Sequence, residues 1–283
     1  MHEMVTFSML IYQVDEYMER AIERDFENHL PMISEVITKL CRDLSATSDN
    51  NLPDGEAVEG PSHGLVNGES AALKEGVQQR LAYELEIFLN AHITQAIDNQ
   101  KFAKQRKAST STFHPTFSSQ AQEYLNPGRT FYNWVRNTSA DHTSCPFSFV
   151  FFSCLVPKLS STVFKTARLA YLAEDLCRHL ASLCRMYNDY GSIARDREEN
   201  NLNSVNFPEF HLPIKGVRDT NQDTKIELMG IAEYEREGLE RIMVALEREL
   251  GDDSLMDALK VFIDVTDLYG QIYIQKDLTA RNK

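Results

Sequence analysis

The chain has 283 residues and carries 29 Lys and Arg against 42 Asp and Glu, a net charge of −13 at pH 7. Hydrophobic residues at 42% and charged residues at 25% are the proportions of a folded chain rather than a disordered one. The acidic excess excludes a basic nucleic-acid-binding face, but it leaves room for an anion bridged by bound cations or local arginines.

From Phe7 to Leu44 apolar residues recur at three- and four-residue steps (Leu10, Val14, Met18, Ile22, then Ile33, Val36, Ile37, Leu40), which predicts helix with a break at Pro31. Residues 45–70 string together Asn-Asn, Pro-Asp-Gly, Gly-Pro and Asn-Gly, and a flexible loop is expected there. Helical spacing resumes over Ala71 to Ala103, and a basic, then Ser/Thr-rich stretch at 104–119 reads as a second loop. After a short segment near Tyr132 comes the apolar run Phe147 to Val156, bracketed by Pro146 and Pro157. It falls well short of the ~20 residues that span a bilayer, so a buried helix is expected. A long helical pattern covers Val163 to Arg197, the Asn/Pro-rich residues Asn200 to Pro213 predict a loop, and two last helices fit Lys225–Leu250 and Ser254–Leu278. No strand pair and no internal repeat stands out, so the expected class is all-α, one domain over residues 1–283.

The compartment signals are few. Glu3, Asp15, Glu16 and Glu19 lie within the first 20 residues, without the basic, apolar, small order of a signal peptide. The five cysteines (Cys41, Cys145, Cys154, Cys177, Cys184) form no CxxC pair, and reduced thiols in a cytoplasmic protein are expected, with no stable membrane insertion.

The chemistry concentrates in the segment Cys184 to Asp196. Asn188, Ser192 and Asp196 are spaced i, i+4, i+8 and share one face of a helix. Three oxygen donors on one face suit a hard cation such as Mg²⁺, which keeps waters and takes further ligands from a phosphate. Arg185 and Arg195 flank the set by three residues and can offer charge-assisted donors to the same phosphate. A solvated polar face is the plainer alternative. The pattern [Asn/Asp]-Asp-x-x-[Ser/Thr]-x-x-x-[Asp/Glu] arises by chance only roughly 0.04 times in a chain of this composition. Gly191 within the helix costs ~1 kcal/mol against alanine, which points to a close approach there.

Asn188-Asp189-x-x-Ser192-x-x-Arg195-Asp196 resembles the second metal-binding motif of class I terpene synthases. The Arg-x-x-Asn-Asp before it and the run Arg197 to Phe210 after it are similar to the carboxy-terminal class I domain of fungal bifunctional copalyl diphosphate/kaurene synthases and related fungal cyclases. The family motif commonly ends in Glu; Asp196 is one methylene shorter. The resemblance implies a helical barrel in which Mg²⁺, as three ions, grips a prenyl diphosphate from two sides. It also implies an opposing acidic motif upstream, for which Asp15-Glu16-Tyr17-Met18-Glu19 is the best match, with Asp15 and Glu19 as metal ligands. Acidic residues at this spacing arise about once by chance in so acidic a chain. Family members place several helices before this motif, whereas 14 residues precede Asp15; a homodimer completing the packing is one arrangement that would answer this.

By the same resemblance Arg185 and Arg195 serve as catalytic and diphosphate-binding residues, with Arg136, or less readily Arg129, as a diphosphate sensor. Tyr187 adjoins the motif as a further catalytic candidate. Trp134, Phe149, Phe152 and Tyr269 are candidates to line the pocket, where aromatic faces stabilise carbocations by ~0.5–2 kcal/mol each; plain core packing is the alternative for most of them. Tyr273 and Lys276 are candidates to cap the pocket. No HExxH, G-x-S-x-G, Gly-rich phosphate loop or dinucleotide fingerprint is present. The expected activity is Mg²⁺-dependent ionisation and cyclisation of farnesyl diphosphate to a sesquiterpene, of humulene type. The alternatives are a diterpene synthase acting on copalyl diphosphate, and a degenerate, non-catalytic helical binding protein.

Overall fold

The computed structural model describes residues 31, 33–39, 64–110, 122–211 and 220–275. All regular structure among these residues is helical, as the periodicity predicts, and no strand occurs among them. The helices are α1 (residues 31 and 33–39), α2 (Gly64–Thr110), α3 (131–142), α4 (Cys145–Leu155), α5 (Leu159–Val163), α6 (Ala167–Glu199), α7 (Thr220–Leu250) and α8 (Asp253–Gln275). No helix among the described residues is long and apolar enough to cross a membrane, and Cys145, Cys154, Cys177 and Cys184 are free thiols.

Helix α2 corrects both loop boundaries, because it takes in the end of the 45–70 stretch and the start of the 104–119 stretch. Lys104, Gln105, Arg106, Lys107 and Ala108 are good helix formers that ask for no burial, so polarity alone misdirects the reading there. Gln105 donates to the Glu123 carbonyl at 2.8 Å and accepts from Leu125 N at 3.0 Å, and Arg106 reaches Asn200 Oδ1 at 2.8 Å. Residues 64–70 follow because extending a formed helix costs far less than starting one.

Helix α6 is the spine, packed along α7 and α8 and against α3 and α4. Thr166 caps its start, accepting from Leu169 N at 3.2 Å, and Asn200 ends it in the left-handed conformation at φ 62°. Leu176, Leu180, Leu183 and Met186 are fully buried at helical spacing in the main core, beside Trp134, Phe207, Leu228 and Leu259. A second cluster joins Ile33 and Ile37 of α1 to Phe88, Leu89 and Ile93 of α2 and Phe147 of α4.

Polar groups set the registers between helices. Arg136 of α3 forks onto both carboxylate oxygens of Glu235 on α7 at 2.7 Å each, and His179 Nδ1 meets Glu235 Oε2 at 2.5 Å. Gly238 lies directly under the His179 ring, so a Cβ there would overlap it. Arg236 pairs with Asp267 of α8 at 2.6 Å and donates to Tyr187 Oη at 2.6 Å, which ties α6, α7 and α8 together. Gly191 touches α8 backbone to backbone: a Cβ on it would fall on the Tyr273 carbonyl oxygen, far inside van der Waals contact. Within α3 the turn Trp134–Ser139 is widened to a π-helix, a form that recurs at functional sites.

Two outcomes follow from this packing. Gly→Ala within a helix ordinarily stabilises by ~1 kcal/mol. Gly191→Ala will instead destabilise by ~1–3 kcal/mol, because the clash is with backbone, and urea denaturation will read the sign. Burial, then the Asp141 charge, pushes the Glu84 carboxyl up to about 7 against the pull of Arg178, while Glu174 adds to the rise and Arg80 opposes it. The unfolded carboxyl titrates near 4.5, so the folded state holds this proton longer. Its contribution is complete below that value and is lost as pH rises through about 7. Glu84→Gln will therefore flatten the decline in unfolding free energy from pH 5 to 8; a slope equal to the parent's would refute the assignment.

Candidate active site

Asn200 turns the chain back on α6, so residues 201–206 run beside the last turns of that helix, from Asp196 back to Arg185. Asn201 N donates to the Asp196 carbonyl at 2.8 Å, and Leu202 N to Asn99 Oδ1 on α2 at 2.9 Å. A single 3₁₀ turn, Ser204–Asn206, follows. Its capping box is closed by Val205 N on Asn203 Oδ1 at 3.2 Å and by Asn203 N on Asn206 Oδ1 at 2.8 Å.

This return segment meets the acidic face of α6. Asp196 Oδ2 accepts from Ser192 Oγ at 2.5 Å and from Asn203 Nδ2 at 2.8 Å, while its Oδ1 faces Arg195 Nη2 at 3.4 Å. Asp189 is fully buried. Its Oδ2 accepts from the backbone N and the hydroxyl of Ser204 at 2.8 and 2.6 Å, and its Oδ1 lies 2.8 Å from Arg185 Nε. That last contact is an ion pair without hydrogen-bond alignment. Burial pushes the Asp189 carboxyl up, Arg185 holds it down, the Asp196 charge raises it again, and Ser204 opposes through both of its bonds. Arg185 also donates from Nη2 to the Leu202 carbonyl at 3.1 Å and stacks over Trp134, 4.9 Å from the ring centroid. Nearby, the His142 ring stacks on His92 at 4.1 Å. Burial, then the charge of His92 and of Arg185, drives the His142 imidazole well below its usual range.

The structure brings Asn188, Ser192, Asp196, Arg185 and Arg195 to one region of α6 and separates them from several other candidates. Asn188 is half-buried, and its amide has no hydrogen-bond partner among the described residues. Tyr187 sits ~100° round the helix from Asn188, in the clasp with Arg236, where it is a packing residue. Arg136 is committed to Glu235, with Asp175 at 3.7 Å, and Arg129 is paired with Asp98. Both guanidiniums are held by carboxylates of neighbouring helices. Trp134 is wholly buried, stacked between Arg185 and Phe207. Phe149 and Phe152 pack on Phe262 of α8 at 5.5 and 5.3 Å, and Tyr269 is exposed. Asp15, Glu19 and Lys276 lie outside the described residues. An open cleft of about 370 Å³ between α2 and α3 is lined by Tyr83, Asn90, Thr94 and Asn137 and by none of the motif residues.

Sequence reasoning placed Asp189 in the motif without a role, and gave none to Asn203, Ser204 and Asn206. The signal was there in Asn203-x-x-Asn206, a capping pattern straight after the αL-prone Asn200-Asn201 pair.

Among the described residues no three His, Cys, Asp or Glu side chains converge on a metal position. The set available is one carboxylate, one hydroxyl and one amide, all oxygen. Ser192 and Asp196 are already in contact, and the Asn188 amide makes no other bond among these residues. Such a set fits a magnesium ion that keeps waters and binds substrate phosphate, and it does not suit zinc or copper, which favour nitrogen and sulfur.

No family model matches the chain, and no solved structure matches it. It is similar to a pimaradiene synthase of Emericella nidulans, 35% identical over 96% of this chain and 30% of that protein. An ent-kaur-16-ene synthase of Fusarium fujikuroi is 33% identical over 100% of the chain and 31% of its own length. A phyllocladan-16-alpha-ol synthase of Phomopsis amygdali is 29% identical over 100% and 32%. The resemblance to fungal terpene synthases of the kaurene-synthase type therefore runs along nearly the whole chain, which spans about a third of the length of these relatives.

Asp189 can be tested by itself. Asp189→Ala leaves Arg185 buried without its counter-charge and will cost ~3–5 kcal/mol in chemical denaturation. Asp189→Asn keeps the two Ser204 bonds in part and will cost less. Equal stability of the alanine variant and the parent would refute the role.

Proposed function

We propose that this chain is the class I catalytic unit of a diterpene cyclase, ionising and cyclising a bicyclic C20 prenyl diphosphate of the copalyl type. The observation that carries this is the Asn188, Ser192, Asp196 oxygen set on one face of α6, flanked by Arg185 and Arg195 and backed by a closed hydrogen-bond network. The names of the relatives, which make pimaradiene, kaurene and phyllocladane skeletons, support a C20 substrate over the farnesyl diphosphate and humulene-type product first expected.

In this reading Asn188, Ser192 and Asp196 hold Mg²⁺, with Asp15 and Glu19 as the opposing ligands. Bound Mg²⁺ supplies Lewis-acid stabilisation of the departing diphosphate. Arg195 lies beside Asp196 and adds a charge-assisted donor toward the same anion. Arg185 divides its guanidinium between Asp189, Leu202 and the Trp134 face, and in this reading it supports the motif from within the core. No residue attacks covalently, which agrees with the missing nucleophile motifs. The cation formed on loss of diphosphate cyclises in an apolar cavity and ends by losing a proton.

Incubating the chain with copalyl diphosphate, with and without Mg²⁺, and resolving products by gas chromatography tests the reading. A cyclic diterpene hydrocarbon or alcohol is expected with Mg²⁺ only, and Asn188→Ala is expected to lower turnover at least ~100-fold without unfolding the protein. Folded protein that yields no product from copalyl or farnesyl diphosphate would leave the non-catalytic alternative standing.

A further inference from the structure

We infer that Asn203 is a positioning residue that aims the Asp196 carboxylate at the cation; the inference rests on the functional reading above and names a residue outside its motif. Asn203 is 1% exposed, and its side chain is fully used. One atom, Nδ2, donates to Asp196 Oδ2 at 2.8 Å and to the Asp189 backbone carbonyl at 2.9 Å, and Oδ1 accepts from Val205 N at 3.2 Å. The amide therefore cannot rotate without losing a bond to the helix backbone or to its own turn. The turn in turn is fixed from outside, because Asn206 donates to the Gln122 carbonyl at 2.8 Å and Tyr124 N to the Asn206 carbonyl at 2.6 Å.

The consequence falls on the carboxylate. The terminal torsion of an aspartate is broad and roughly two-fold, so a carboxylate held by one donor turns easily. Ser192 alone does not hold it, since a hydroxyl rotates with its acceptor. With Asn203 added, Oδ2 carries two donors from two different segments, and Oδ1, met only by the long 3.4 Å contact from Arg195 Nη2, is left as the oxygen to face a cation. Asp196 is a methylene shorter than glutamate and has correspondingly less reach, so orientation matters more for it. The Ser192 hydroxyl donates its one hydrogen bond to Asp196 and so keeps its lone pairs for the metal.

The test separates aim from mere folding. Titration calorimetry of Mg²⁺ into the purified chain with inorganic diphosphate present reads metal affinity without turnover. Asn203→Ala is expected to weaken that affinity ~10–100-fold, to raise the half-saturating Mg²⁺ for turnover in parallel, and to change kcat at saturating Mg²⁺ far less. Asn203→Ser, which keeps one donor, is expected to fall between, and it carries the comparison should the alanine variant fail to fold. Phe207→Leu, a fully buried packing change beside the same turn, is expected to lower the melting temperature without moving Mg²⁺ affinity. Unchanged affinity in a folded Asn203 variant, or an equal loss in Phe207→Leu, overturns the inference while leaving the functional reading intact. A wild-type chain that binds no Mg²⁺ with diphosphate overturns both.

Discussion

A carboxylate with no access to water must be compensated from within the protein, and the arrangement around Asp189 follows from that requirement. Removing such a group from solvent costs several kcal/mol, recovered only when charge and hydrogen bonds are both supplied in good geometry. Arg185 brings the charge from one turn below, and Ser204 brings two donors from the returning chain. For Ser204 to arrive, α6 must end at Asn200 and the chain must double back immediately. For Arg185 to stay, its guanidinium needs the Trp134 face and the Leu202 carbonyl. The end of the helix, the course of the segment after it and the place of the one tryptophan are in this sense consequences of one buried charge.

The all-helical class and the place of the oxygen set were legible in the residues, because both rest on local spacing. The apolar steps of α6 and the i, i+4, i+8 positions of Asn188, Ser192 and Asp196 belong to one helix and need no knowledge of its neighbours. Gly191 was also readable, as a residue that costs helix stability and so implies a close contact, though not as a contact with the Tyr273 carbonyl. What sequence spacing could not reveal were the partners across segments. Arg136 looks like any arginine until Glu235, 99 positions later, is seen to hold it. Tyr187 looks like part of the motif because it is adjacent in sequence, yet one residue of helix turns it toward Arg236. Over 201–211 the loop expected for Asn200 to Pro213 holds only two 3₁₀ turns and no α-helix, but composition gave no sign that Asn203 and Ser204 are among the most buried polar groups of the described residues.

The net charge of −13 takes on a different meaning against this arrangement. Several of the acidic side chains neutralise buried or half-buried arginines: Glu235 for Arg136, Asp267 for Arg236 and Asp141 for Arg178 between helices, and Asp189 for Arg185 within α6. Each pair joins two elements or two turns that apolar packing alone would leave free to slide, since leucines on facing helices accept more than one register. Asp196 differs from these four, with its nearest guanidinium at 3.4 Å and two neutral donors on its other oxygen.

The meeting of Gly191 with the Tyr273 carbonyl sets a limit on how this scaffold can be altered. Where side chains separate two helices, a change of volume on one can be absorbed by a change on the other or by a different rotamer. Here main chain meets main chain, and neither side has a torsion to give. The spacing of α6 and α8 at that level is consequently a constant of the architecture, one residue before Ser192. Any widening of the fold at that level, whether by drift or by engineering, has to come from elements other than this pair of helices.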